Sequence, residues 1–344
     1  GRRPRGAGEE KEEGKMSGDA KVVLTDYVWD SLEVEEEALK GLASLVALQT
    51  KTPEEFLSEA GDCDAILNTY AGPITAEAMA QMPRCKLIAR YGIGVDTIDL
   101  EAATDHGIIV TNNPTYCLDE VAEHTLALLL AMARNIAVYD RDVRRGVWDV
   151  EAAKPMHRIA GKTLGVLGLG SIARKVAARA RAFEMRVLYH DPYVPAEEGE
   201  KEGVEAASLD RLFEESDFLT VHTPLLPDTR HMIGEAQLRR MKPTACLINC
   251  ARGPIVDNEA LVRALSEGWI AAAGLDVVED PPPLSPDHPL LSFPRNIVTP
   301  HSAWYSEEAM EGLHEGAPAE AARFLRGERP LHVVNPKVLE NLGR

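Results

Sequence analysis

The sequence predicts an α/β fold in which parallel sheets are covered by helices, in two successive units. Short apolar runs alternate with helix-like stretches from Lys21 onward, and such alternation marks parallel sheets with helices on their faces. A long apolar helix interrupts the pattern after Pro114, and a second alternating series starts at Lys162. The length of 344 residues also suits two domains of roughly 150 residues each.

Residues 1–19 contain almost nothing to bury, and their basic and acidic side chains cancel, so they read as a disordered tail. Met16 is a candidate natural start. Strands are expected at Lys21–Leu24, Ala65–Leu67, Leu87–Ala89 and Ile108–Val110. Beyond Pro114, the acids Asp119, Glu120 and Glu123 open a helix predicted to run unbroken to Gly146. Arg141, Arg144 and Arg145 near its end complement the helix dipole. Its apolar start suggests burial between domains or subunits. The second series supplies strands within TLGVLGLG, RVLYHD, FLTVHTP, ACLINCA, AAAGLDVV and NIVTP. A proline-rich loop spans Pro281 to Pro289. The last long helix, Ser306–Arg326, is expected to kink or split at Gly316 and Pro318.

Composition narrows the function. Lys+Arg total 37 against Asp+Glu 55, a net charge of -18, which disfavours a nucleic-acid partner. The longest apolar run, Leu126–Ala133, is far short of the roughly 20 residues of a membrane span. No secretory leader pattern is present. Five scattered cysteines without a CxxC pair suit free thiols in a cytoplasmic protein, and no HxH or HExxH pair points to a metal.

The sharpest motif is Gly168-Leu169-Gly170-Ser171-Ile172-Ala173. It follows a predicted strand and opens a predicted helix, the context in which such glycines bind a dinucleotide. Gly168 permits the tight turn, and Gly170 lets backbone approach the pyrophosphate. Ser171 and Ile172 begin the helix whose N-terminus faces the phosphates, and small Ala173 packs it on the strand. Asp191 ends the next strand, where a carboxylate accepts from ribose hydroxyls and repels a 2′-phosphate. NAD is therefore expected over NADP.

Three further segments each end a predicted strand, on the sheet edge where ligands bind. They are Asn249–Gly253, carrying Arg252; Gly274–Val277, carrying Asp276; and Thr299–Trp304, carrying His301. A guanidinium is a planar fork matched to a carboxylate, and an imidazole exchanges protons near neutrality. On either side of a nicotinamide, these groups suffice to interconvert a 2-hydroxy acid and a 2-keto acid. Trp304 beside His301, and no evident second pocket arginine, argue against a phosphorylated substrate.

The sequence resembles the D-isomer-specific 2-hydroxyacid dehydrogenase family from about residue 21 to 336. The segments ARYGIGVDTIDLEAA, DEVAEHTLALLLAMAR, GKTLGVLGLGSIA, VHTPLLPDT, LINCARGPIVD, GLDVVED and LRGERPLHVVNP carry the likeness. TPHSAWYSEEA is similar to the C-terminal-binding-protein-like branch. The resemblance implies two Rossmann-like doubly wound domains. One is a discontinuous substrate domain (20–118 and 303–344), and the other is an inserted NAD-binding domain (119–302). It further implies a homodimer built on the helix after Asp119. By the same likeness, Arg252 clamps the substrate carboxylate and polarises the keto oxygen, and His301 is the acid/base. Asp276, Val121, Cys250 and Ala251 would surround the nicotinamide, while His222, Thr223 and Thr229 would border the adenosine side. Backbone amides at Ile93 and Gly94 would receive the carboxylate, and Tyr70 and Trp304 would shape the pocket. His124, His157 and His190 are assigned to packing or solvent.

One position departs from the family pattern. A glutamate is expected five residues after the LDV aspartate, to hold the histidine; Pro281 stands there, after Glu279 and Asp280. Either of these carboxylates could be recruited instead, or activity is reduced. The leading reading is an NAD-dependent reductase of a small 2-keto acid, acting in an interdomain cleft. The alternative is an NAD(H)-sensing interaction protein with weak turnover.

Overall fold

The computed structural model describes residues 20–341; the tail expected over residues 1–19 lies outside the described residues. The chain divides into two compact units, one of residues up to Tyr116 together with Met310 onward, the other from Cys117 to Ala309.

The first unit holds five parallel strands, β1 (Ala20–Leu24), β2 (Ala43–Ala47), β3 (Ala65–Asn68), β4 (Leu87–Arg90) and β5 (Ile109–Thr111), ordered β2-β1-β3-β4-β5. β3, β4 and β5 are buried along their whole length, as near-continuous apolar runs must be in a sheet covered on both faces. Val23, Ile66, Ile88 and Val110 meet Phe56, Met79 and Met82 in one apolar cluster.

The second unit holds seven parallel strands: β6 (Thr163–Leu167), β7 (Arg186–His190), β8 (Glu205–Ala206), β9 (Phe218–Val221), β10 (Cys246–Asn249), β11 (Ala272–Leu275) and β12 (Ile297–Val298). Their order, β12-β11-β10-β9-β6-β7-β8, is doubly wound. Strand order reverses between β6 and β9, so a crevice opens outside their carboxyl ends. One face is covered by helices Leu118–Ala133 and Ser171–Ala182, whose Leu129, Met132, Val176 and Ala180 join one core cluster. Leu212, Phe213, Leu238 and Leu261 line the other face.

Two expectations are corrected. The helix predicted to run unbroken to Gly146 ends at Ala133, and a second begins at Ile136 after a bend of 63°. Asn135 makes the break: its φ is 49°, a left-handed conformation that asparagine tolerates. Its side chain donates to Ala153 O (2.8 Å) and accepts from Arg295 Nε (3.1 Å). Among the described residues no single helix is long and apolar enough to cross a membrane. Conversely, of the kink or split expected at Gly316 and Pro318, the split does not occur: helix Glu307–Leu325 is one element. Its buried row of Ala309, Leu313, Ala317, Ala321 and Phe324 outweighs the one backbone bond that proline removes.

Candidate active site

The carboxyl ends of the second sheet bring the predicted residues into a row. Strand order sets the sequence of tips: His301 follows β12, Asp276 β11, Cys250–Arg252 β10, His222 and Thr223 β9, Gly168–Gly170 β6, and Asp191 β7. Four inter-strand steps separate the β11 and β7 tips, about 19 Å at the usual strand spacing. An extended ligand laid along these tips would pass the loops carrying Arg252, Asp276 and His301 at one end and the loop carrying Asp191 at the other.

The glycine turn has the shape a pyrophosphate needs. Gly168 adopts φ +85°, and a Cβ there would lie 2.9 Å from Thr223 N, so both backbone angle and space require glycine. Gly170 caps helix Ser171–Ala182, and a Cβ built on it meets nothing within 4 Å. The helix N-terminus is therefore approachable by an anion, and the fully buried Ala173 packs beneath. Asp191 braces this turn, accepting from Leu169 N (2.8 Å) and Tyr193 N (2.9 Å). Each carboxylate oxygen retains a further lone pair for a hydroxyl donor. The donor set fits NAD.

On the next tip, His222 Nε2 lies 2.9 Å from Thr220 Oγ1, and burial pushes its pKa down to about 4, so it is neutral at pH 7. Thr229 turns its hydroxyl into its own loop, donating to Pro224 O and accepting from Leu226 N, both at 2.7 Å. Val121 is buried on helix Leu118–Ala133. Burial drives the Cys250 thiol up to about 12, so at pH 7 it is a protonated, small apolar side chain at the β10 tip and no nucleophile.

Arg252 is presented by a braced turn. The Asn249 side chain donates to Arg252 O (2.9 Å) and accepts from Ala251 N (3.0 Å). Gly253 lies so close to the Val278 carbonyl that no Cβ fits, which seats the β10 loop against the β11 loop.

His301 is exposed and has φ 53°, an uncommon conformation for a residue with a side chain. Asp276 holds it there. The His301 amide donates to Asp276 O (2.9 Å), and the buried Asp276 carboxylate accepts from Ser302 N and Ala303 N, both at 2.9 Å, and from the Thr299 hydroxyl. His124 joins this network through Thr299 Oγ1 (3.0 Å), so it is neither packing nor solvent filler.

Glu279 and Asp280, raised as substitutes at the departed position, have partners of their own. Glu279 Oε1 lies 2.6 Å from His231 Nε2 and 3.5 Å from Arg230 Nη1. Asp280 bonds His288 Nε2 (3.0 Å) and Asn258, and these hold its carboxyl below the usual range.

In the first unit, the loop after β4 is pinned through its carbonyls. Gly92 O accepts from Asn113 N (3.3 Å), Ile93 O from Asn112 Nδ2 (2.7 Å) and Gly94 O from Arg90 Nε (3.0 Å). Arg90, missed in the sequence, is buried at the β4 tip. Its Nη1 donates to Asn68 Oδ1 (2.9 Å), and its guanidinium lies 5.8 Å from the ring centre of half-exposed Tyr70. Asp26 completes the array, accepting from Tyr70 N (2.6 Å) and Thr69 N (3.1 Å). The only sequence signal of Arg90 is its position at the end of β4. Trp304, in the second unit, stacks edge-on against Tyr305 at 5.6 Å.

A family model described as D-isomer specific 2-hydroxyacid dehydrogenase, NAD binding domain, matches residues 126–303. The chain is 45% identical over 284 residues to a glyoxylate reductase of Korarchaeum cryptofilum, covering 81% of this chain and 85% of that protein. It is 41% identical over 330 residues to a D-3-phosphoglycerate dehydrogenase of Methanocaldococcus jannaschii, covering 94% of this chain and 61% of that one. The crystal structure of a D-lactate dehydrogenase from Aquifex aeolicus, complexed with NAD and lactic acid, superposes with a TM-score of 0.84 at 32% identity, covering 91% of this chain and 99% of that one.

Proposed function

Because the chain belongs to the D-isomer-specific 2-hydroxyacid dehydrogenase family, and so is an NAD-dependent oxidoreductase acting on the CH–OH group of 2-hydroxy acids, we propose the following division of labour among its residues. The reading rests above all on the adjacency of the β10, β11 and β12 tips, which carry Arg252, Asp276 and His301. The NAD-binding domain, expected over 119–302, would be the Cys117–Ala309 unit, which takes in Trp304, and the substrate domain would be formed by residues 20–116 with those from Met310 onward. Gly168, Gly170, Ser171, Ile172 and Asp191 would hold the pyrophosphate and adenosine ribose. His222, Thr223 and the loop of Thr229 would flank the adenosine, while Val121, Cys250, Ala251 and Asp276 would surround the nicotinamide. When bound, the nicotinamide supplies or accepts the hydride.

The Arg252 guanidinium binds the substrate carboxylate and polarises the keto oxygen. His301 donates a proton to that oxygen in reduction and takes it back in oxidation. Asp276 acts on the backbone, holding His301 in its strained conformation. Ile93 and Gly94 would donate their amides to the carboxylate, with Arg90 as the positioning residue behind them; Tyr70 and Trp304 would shape the pocket. The preferred substrate is a small unphosphorylated 2-keto acid of the glyoxylate kind. Steady-state NADH oxidation with glyoxylate, pyruvate, hydroxypyruvate and branched keto acids tests this. Turnover is expected to be fastest with the smallest acids. Pro281, in place of the family's glutamate, favours a second reading as an NAD(H)-sensing protein; background rates across the panel with tight NADH binding would select it.

Three further outcomes are expected. Asp191→Ser removes the carboxylate that repels a 2′-phosphate. The ratio of kcat/KM for NADH over NADPH should fall by at least tenfold, and an unchanged ratio would refute the assignment. Glu279→Gln and Asp280→Asn should leave the pH–rate profile of keto-acid reduction in place, because both carboxylates serve other partners. A carboxylate beside an imidazolium raises its pKa. Hence a fall of half a unit or more in the limiting pKa of either variant would identify that residue as the recruited carboxylate.

A cytoplasmic homodimer completes the proposal. The helix directly after Asp119 buries Leu126, Leu128, Leu129 and Met132 in its own unit's core. The exposed apolar side chains lie beyond Asn135: Ile136, Val143, Val147, Val150 and Trp148, the last 90% exposed. A patch of that kind marks an interface. Trp148→Glu should convert a dimer into a monomer by light scattering at micromolar concentration, and an unchanged mass would remove this surface from the interface.

A further inference from the structure

We infer that Cys63 and Cys85 form a latent disulfide linking the N-terminal approaches of β3 and β4, closed by thiol–disulfide exchange with a small-molecule disulfide. Strand register carries the inference. Ala65 pairs with Leu87, and the ladder extends below that pair, with Lys86 N donating to Asp64 O at 2.9 Å. Cys63 and Cys85 each stand two residues before their strand begins, at the close of a turn, with their amides donating to Ala60 O (3.1 Å) and Met82 O (3.0 Å), so the same register brings the two turns side by side. Adjacent strands lie about 4.8 Å apart, within the roughly 4.4–6.8 Å Cα separation that a disulfide spans. Both cysteines are fully buried in the same apolar cluster, among Phe56, Met79 and Met82. Cys85 Sγ donates to Leu87 O at 3.4 Å, and the neighbouring Cys63 thiol, then burial, push the Cys85 thiol well up. The remaining cysteines, Cys117, Cys246 and Cys250, all belong to the other unit.

The exchange balances as a two-electron oxidation. One cysteine thiolate attacks the small disulfide, forming a mixed disulfide and expelling one small thiolate. The second cysteine then attacks the mixed disulfide at the protein sulfur. The Cys63–Cys85 bond forms, the second small thiolate leaves, and both leaving groups take up the protons released by the cysteines. Buried thiols react slowly, so closure proceeds when the strand ends open or while the unit folds. A reducing compartment keeps the pair open, and an oxidising challenge closes it. Tyr70 and Gly92–Gly94 follow the opposite ends of these two strands, so the cross-link stiffens the pair without touching the proposed substrate loops.

The full chain is denatured, refolded in oxidised and reduced glutathione, alkylated, and mapped by peptide mass spectrometry; a parallel sample is held native in the same buffer. The expected result is a linked pair of peptides containing Cys63 and Cys85, released by dithiothreitol, with the other cysteines alkylated. The native sample should close more slowly than the refolding one. The oxidised chain should show an apparent unfolding midpoint about 5 °C higher, with kcat within about twofold. Cys63→Ala and Cys85→Ala should each abolish the linked species. Free alkylated Cys63 and Cys85 after oxidative refolding, or a bond made to any other cysteine instead, would overturn the inference. Because that readout uses the wild-type chain, poor folding of either alanine variant does not blunt it.

Discussion

Replacing Arg252 by lysine lowers kcat/KM for keto-acid reduction by about 10²–10³, while the Kd for NADH stays within about threefold. The size follows from geometry, since the charge itself is conserved. Lysine offers a point charge on a flexible stem, whereas guanidinium presents parallel donors in a rigid fork that matches a carboxylate. The turn that aims Arg252 is held through backbone atoms by Asn249 and by the close approach of Gly253 to Val278, and none of these contacts is lost in the variant. The loss should therefore appear in KM for the acid as well as in kcat, because under the proposed assignment the same fork would bind the ground state and polarise the keto oxygen. Stopped-flow NADH binding and steady-state turnover separate the two. A variant within threefold of wild type in kcat/KM would remove Arg252 from substrate binding.

His301→Asn is the second large effect. Most substitutions here would confound chemistry with backbone strain, because φ is 53°. Asparagine is among the residues enriched at positive φ, so it keeps the loop that Asp276 braces through Ser302 N and Ala303 N. It has no group that titrates near neutrality. Reduction should fall by about 10²–10⁴, and the pH dependence of kcat/KM between roughly pH 6 and 8 should vanish. NADH affinity and thermal stability should barely change. Residual activity above a tenth of wild type, with the pH profile intact, would assign the proton transfer elsewhere.

The parts of the molecule legible in the sequence are those whose signal is local. Gly168, Gly170, Ala173 and Asp191 fall within one strand–turn–helix–strand unit, and each residue type answers a short-range demand of backbone angle, space or charge. Arg252 and Asp276 were legible as strand-end residues because β10 and β11 are buried, mostly apolar runs with abrupt ends, and His301 because the short apolar pair Ile297–Val298 runs into Thr299 and Pro300. Features that depend on where a side chain reaches were not. Arg90 turns onto Gly94 O and Asn68, and His124 onto Thr299, partners fixed only once strands and helices are packed. The break at Asn135 was hidden for a related reason. Apolar periodicity runs smoothly across it, while the left-handed φ and the bonds to Ala153 and Arg295 that stabilise it are tertiary. At Pro281 the sequence displayed a departure from the family, but only coordinates reveal that Glu279 and Asp280 are engaged by His231, Arg230, His288 and Asn258.

The most direct examination of the redox site is a crystal structure of the protein with NADH and oxamate, an unreactive mimic of a 2-keto acid. The oxamate carboxylate should sit on the Arg252 fork, with a His301 ring nitrogen about 2.6–3.2 Å from the oxygen that replaces the keto oxygen. Oxamate bound away from both side chains, or a dinucleotide lying off the β6, β10 and β11 tips, would contradict the assignment of the active site.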